Sequence, residues 1–224
     1  MKNHTPEIKS NNISATHIFV IITGIVGGFI SIEHGIFEVL QGTTPTESMV
    51  IEAIGPAQRF EGGVGEMAIT ILPNFLLTGI VAIIIGLLTI IWVSKFIDQK
   101  YGSLGLFILS IMTLFLGGGV AFFLIALINC IVATRIHKPL NWWEKHLSVK
   151  IRLELAKHLV LITISFVLLF ILTLVIAIFG LRFIGINDVN QLATILGLIT
   201  TLIYLFSVIS CFSFDIQNHL TNPA

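Results

Sequence analysis

Long apolar runs, each closed by a short polar or charged break, divide this chain. Residues 17–40 are apolar as far as Ile32, after which Glu33, His34, Gly35 and Glu38 fill the closing turns. A second run covers 67–93, a third, 103–134, contains no charged residue, and two more occupy 158–183 and 191–214. A membrane-spanning helix needs about 20 apolar residues rising 1.5 Å each. The runs at 17–40, 67–93, 158–183 and 191–214 meet that length and are predicted as four spanning helices. Pro73-Asn74 lies about two turns into the second, where the missing N–H frees a carbonyl and a kink is expected.

The third run is split by Gly117-Gly118-Gly119 into two arms, 103–116 and 120–133. Each arm makes about 21 Å of helix, short of a hydrocarbon core of about 30 Å. The pattern predicts a glycine-tipped re-entrant hairpin, or two short spans where the bilayer is thin or the helices tilt. The competing reading is one long tilted helix with the glycines as a packing face.

The distribution of bases separates these readings. If the third run crosses once, the twelve lysines and arginines divide seven against five whichever way the N-terminus faces. If it doubles back, Lys2, Lys9, Lys95, Lys100, Arg135, Lys138, Lys145, Lys150, Arg152 and Lys157 share one side and only Arg59 and Arg182 lie on the other. That asymmetry is what the positive-inside rule leads one to expect, with the N-terminus cytoplasmic in a cell membrane.

Within the basic region, Leu140, Trp143, Leu147, Ile151 and Leu155 recur at steps of 3 or 4 after Pro139. Asn141 and Glu144 occupy N-cap and capping-box positions. The spacing predicts one interfacial amphipathic helix over 140–157. Trp142 and Trp143 would sit at headgroup depth, and Lys145, Lys150 and Arg152 would face anionic lipid.

Composition sharpens the class. The 224 residues are 55% hydrophobic and only 11% charged, with mean hydropathy +1.00, whereas a soluble domain carries about 25% charged residues. The fold class is therefore all-α, a polytopic integral membrane helix bundle. Residues 1–16 form a polar cytoplasmic N-terminus leading into a retained anchor, 17–214 a single transmembrane domain, and 215–224 a short tail in which Asp215 ends the last helix at the water. The balanced charge, twelve of each sign, gives no basis for a nucleic-acid partner. Cys130 and Cys211 lie inside apolar runs, where a thiol behaves as a small hydrophobe.

Candidate chemistry gathers at the face opposite the bases. From Glu33 to Glu66 there are six glutamates against Arg59 alone. Glu33, His34, Glu38, Glu66 and Asn74 approach this side together with the hairpin tip Gly117, Gly118 and Gly119, and are candidates for an ion or proton pathway, since ionisable residues in spans are functional candidates. His34 and Glu38, four apart on one helix face, could ligate a divalent metal with Glu66. The plainer reading leaves them as solvated residues ending a helix. Asn129 is expected to make an interhelical hydrogen bond. Gly24, Gly28, Ser31 and Gly35 line one side of the first helix and allow a second helix to come close, which points to a homo-oligomer or a membrane partner.

No phosphate-binding loop, hydrolase elbow, metalloprotease pair or haem-attachment motif is present, and no cofactor is expected. Three functions remain: a small secondary transporter or ion-conducting protein with an acidic outer vestibule, a non-transporting assembly, immunity or stress-related membrane partner, and an intramembrane enzyme.

Overall fold

A computed structural model of the chain describes residues 14–58, 66–179 and 189–221. The polar N-terminus to residue 13, Arg59 and Glu61, the turn with Arg182, and residues 222–224 lie outside them. Helix α1 (Ala15–Leu40) opens with the Ser14 hydroxyl accepting from His17 N at 3.1 Å. It lies against α2 (Phe75–Lys95) along a seam of glycines. A Cβ added to Gly28 would meet Gly86 O at 2.7 Å, one on Gly86 would meet Gly28 O at 2.5 Å, and one on Gly35 would meet Gly79 O at 2.6 Å. Ser31 Oγ donates to Ala82 O at 2.9 Å in the same seam. The small-residue strip at Gly24, Gly28, Ser31 and Gly35 thus packs on α2 of its own chain, so the face expected to join two copies is filled internally.

Between these helices, β1 (Val50–Glu52) and β2 (Met67–Ile69) form an antiparallel pair. This corrects the expectation of a helix from residue 67. Helix α2 begins only at Phe75, with Asn74 as N-cap accepting from Leu77 N at 2.8 Å. Pro73 lies just outside the helix and causes no kink within it. The residue before a proline is pushed toward extended backbone, and an asparagine carbonyl satisfies one of the amides left open at a helix start, so the chain turns into the helix at that point.

The third apolar run is two helices, α3 (Gly102–Phe115) and α4 (Val120–Ala133). Gly117 and Gly119 hold φ values of +94° and +91° between them, which glycine adopts without steric cost. Asp98 ahead of α3 and His137 beyond α4 meet at 2.7 Å. The run therefore goes out and returns, and it is not a single rod. At the tip, Gly117 N donates to Ile69 O at 2.9 Å and Ile71 N to Phe115 O at 3.1 Å, so the segment around β2 grips the turn.

The interfacial helix expected over 140–157 is also corrected. Helix α5 (Asn141–His146) is short, and the basic residues beyond it belong to α6 (Val149–Phe179), which continues unbroken toward the last connection. Asn141 lies inside α5 and makes no cap hydrogen bond; the N-cap position is Leu140. Ile151 N reaches Ser148 Oγ at 3.4 Å, so the chain stops at Leu147 and starts again. Trp142 is exposed, and Trp143 packs on Phe212 with centroids 5.2 Å apart. Lys145 and Lys150 are exposed. Arg152 is buried, its guanidinium 3.4 Å from Glu144 O, so it does not face lipid.

Helix α7 (Val189–Thr221) extends beyond the span expected for it. Asp215 does not end it: its carboxylate accepts from Ala15 N at 2.6 Å and Thr16 N at 3.0 Å. That places a negative charge on two open amides at the positive end of α1. Tyr204 of α7 stacks between Phe19 of α1 and Phe166 of α6, at 5.5 and 5.1 Å, and donates to Ile125 O of α4 at 3.3 Å. These contacts join the α6–α7 pair to the other helices. Helices α1, α2, α6 and α7 each contain a stretch long and apolar enough to cross a membrane, and the architecture is an all-α membrane bundle.

Candidate functional site

The glycine tip meets α1 where that helix carries its ionisable residues. A Cβ on Gly117 would fall 2.6 and 2.8 Å from the Glu38 carboxylate oxygens, one on Gly118 would fall 2.9 Å from Ser31 Oγ, and one on Gly119 would fall 2.8 Å from His34 Nε2. Any side chain at these three positions would occupy space held by α1. The helix periodicity explains the match, because Ser31, His34 and Glu38 lie 3 and 4 apart and so share one face.

His34 is 2% exposed. Its Nδ1 is 3.1 Å from Ile30 O and 3.1 Å from Glu33 Oε2, and its Nε2 is 2.9 Å from Glu66 Oε2. A carbonyl oxygen only accepts, so Nδ1 carries the hydrogen given to Ile30. Glu33 stands beside the same nitrogen, yet neither of its oxygens has a hydrogen-bond partner. Nε2 and Glu66 share one proton between them. Either the imidazolium donates to the carboxylate or the carboxyl donates to the imidazole, and the same contact serves both states.

Glu38 is fully buried, and both its carboxylate oxygens lack a hydrogen-bond partner. Leaving a polar group in that condition costs about 1–3 kcal/mol, and more if it is charged. Beside it, Thr70 Oγ1 lies 3.1 Å from Thr78 Oγ1. Thr78 already donates to Asn74 O at 3.0 Å, so Thr70 is the donor of that pair and neither hydroxyl hydrogen goes to Glu38.

Of the predicted site residues, the structure brings together Glu33, His34, Glu38, Glu66 and the three tip glycines. Asn74 is used as the N-cap and stands apart. The metal-ligating set shifts by one residue. Glu33, His34 and Glu66 have ligand atoms within 4.8 Å of one another, and Glu38, one turn farther on, turns under Gly117 instead. Thr70, Thr78 and Thr113 complete the surroundings; nothing in their spacing marks them in the sequence, because they come from three different elements.

Inward from the tip, a cavity of about 20 Å³ lies among α1, α2, α3 and α4, bordered by Gly24, Thr89, Ser110, Thr113, Phe123 and Asn129. A site needs roughly 10–15 Å³ to hold one water, so this one has room for an occupant of about that size. Ser110, Thr113 and Thr89 spend their hydrogens on carbonyls one turn back, at 2.8, 2.9 and 2.9 Å, and the wall of the space is mostly apolar. At its inner end Asn129 accepts from Thr23 Oγ1 at 2.8 Å and donates to Val20 O at 3.3 Å, the interhelical bond expected of it. Among the described residues no hydroxyl or thiol is seen bonding to His34.

No protein-family model matches the chain, and neither does any curated protein or solved structure.

Proposed function

We propose that this chain is a small proton- or cation-conducting membrane protein, with Glu66, Glu33, His34 and Glu38 forming its outer binding site. The observation that carries the reading is Glu38, a buried carboxyl without a partner, one helical turn from a histidine that already shares a proton with Glu66. Ionisable groups placed among spanning helices are costly and mark ion or proton paths. Non-helical backbone at membrane depth persists where it is buried in protein or lines such a path.

The cavity inward of the tip also supports it. The size of that cavity favours a proton or a bare ion over an organic solute, which would require the helices to part. In this reading the α3–α4 hairpin is re-entrant, the glycine tip faces the outer side of a cell membrane, and the N-terminus with most lysines and arginines is cytoplasmic. Exposed Lys145 and Lys150 lie toward anionic lipid on that inner side.

The test is flux in liposomes. Wild type is expected to dissipate an imposed pH or sodium gradient faster than empty vesicles, and Glu38→Gln to return the rate to that of empty vesicles. A wild-type protein, folded and inserted, that dissipates neither gradient overturns the proposal.

A further inference from the structure

At the opposite end of α1 a second cluster joins three segments that are far apart in sequence. His17 stands in the first turn of α1, Asp98 in the turn between α2 and α3, and His137 just beyond α4. Their ligand atoms lie within 4.8 Å of one another. His137 Nε2 is 2.7 Å from Asp98 Oδ1, and the two imidazole rings meet edge to face with centroids 5.9 Å apart. His17 and His34 are 17 residues apart on one helix, about 26 Å along its axis, so the two clusters are separate sites.

We propose that His17, Asp98 and His137 bind a transition-metal dication of the zinc class, completed by water, which clasps both ends of the α3–α4 hairpin to the start of α1. Two imidazoles and one carboxylate are a common donor set for zinc, with one position left open. Around a tetrahedral zinc with bonds of about 2.0–2.1 Å, neighbouring ligand atoms stand roughly 3.4 Å apart. The ion would therefore enter between His137 and Asp98, widening that contact by less than 1 Å, while His17 swings inward. The ligand atoms of all three already lie within 4.8 Å of one another, and the site opens to water because His137 and Asp98 are half exposed.

The backbone gives an independent reason to regard His137 as placed rather than incidental. It is the one non-glycine residue with positive φ among those described, at +55°, a conformation that costs an L-residue about 1–2 kcal/mol. The turn from Arg135 to Lys138 fixes that conformation through Lys138 N donating to Arg135 O at 3.1 Å, and it aims the imidazole at Asp98. Strain of this kind persists where the surroundings impose it and gathers at functional positions.

The experiment uses full-length protein without a histidine tag, in detergent, titrated with Zn²⁺ and separately with Co²⁺. Wild type is expected to hold one Zn²⁺ per chain in this site, to show the visible absorption of a low-coordinate Co²⁺ complex, and to melt at a higher temperature with Zn²⁺ than with chelator. His17→Gln and His137→Asn are each expected to weaken binding by more than about tenfold. Asparagine tolerates positive φ, so the second change keeps the turn while removing the imidazole. His34→Gln should leave this binding intact. No zinc retained by wild type, equal retention by the His17→Gln/His137→Asn double variant, or loss of the metal only in His34→Gln would each overturn the proposal.

Discussion

Gly117 lies directly against Glu38, so close that a methyl group on the glycine would stand 2.6 and 2.8 Å from the two carboxylate oxygens. One link of this contact is a backbone requirement, φ of +94°, and the other is the packing of a hairpin tip onto α1. Gly42 separates the two, because it also has positive φ, +70°, yet has no atom within 4 Å of an added Cβ. Gly42→Ala is expected to cost about 1–2 kcal/mol, the backbone penalty alone. Gly117→Ala should cost measurably more in thermal unfolding followed by circular dichroism, because the added carbon meets Thr78 Cγ2 of α2 as well as the Glu38 carboxylate. Pairing it with Glu38→Ala should recover the part due to the carboxylate. Equal losses for the two single changes would mean that the carboxyl does not press on the tip.

Glu38 itself should show opposite signs for stability and function. Glu38→Met removes two unsatisfied oxygens at similar volume, so the melting temperature is expected to rise, by the equivalent of about 1–3 kcal/mol, while flux in liposomes falls to the level of empty vesicles. Residues kept for activity at a cost in stability behave this way. A methionine variant less stable than wild type would show that Glu38 has a partner in the folded protein and is structural.

The glycine seam makes a third prediction. At Gly35 the neighbour of an added Cβ is the backbone of α2, which cannot rotate away as a side chain could. Gly35→Leu is therefore expected to force α1 and α2 apart and destabilise by more than about 2 kcal/mol, at the upper end of overpacking costs. Leu88→Ala, on an exposed position of α2, should change stability little. Cross-linking of the surviving Gly35→Leu protein should give the same oligomeric state as wild type, and a protein that folds normally but changes that state would show that the strip joins copies.

What the sequence revealed and what it hid follow from the range of the interactions. Gly24, Gly28, Ser31 and Gly35 are periodic within one helix, and the triple glycine breaks a run whose arms are too short to span, so both features can be read locally. Their destinations cannot: that Gly35 meets Gly79, or that Gly119 meets His34, depends on how helices pair. The start of α2 at Phe75 has a local signal that the apolar run obscures. Pro73-Asn74 ahead of an apolar run marks a helix start, and counting the apolar Met67–Ile69 as helix turned that signal into an interior kink. Ser148 carries a comparable mark inside the basic segment, where the steps of 3 and 4 carried across a break. Asp215 left no local trace, because its partners at Ala15 and Thr16 lie about two hundred residues away and it reads as an ordinary acid after an apolar span.

Sidedness gives the last prediction. The contact between Asp98 and His137 fixes both ends of the hairpin together, so the basic segments at Lys95–Lys100 and Arg135–Lys157 must share whichever side that end faces. With them inside, ten of twelve lysines and arginines are cytoplasmic; with them outside, ten would have to be translocated, against the usual bias. Both native cysteines are buried, and Ser48 and Ser148 are exposed, so single cysteines at these serines can be read with little background. In intact cells an impermeant maleimide is expected to label Ser48→Cys at once and Ser148→Cys only after lysis. Labelling of Ser148→Cys from outside would place the basic end on the outer face, put the Glu38–His34–Glu66 cluster on the cytoplasmic side, and remove the outer vestibule from the proposed path.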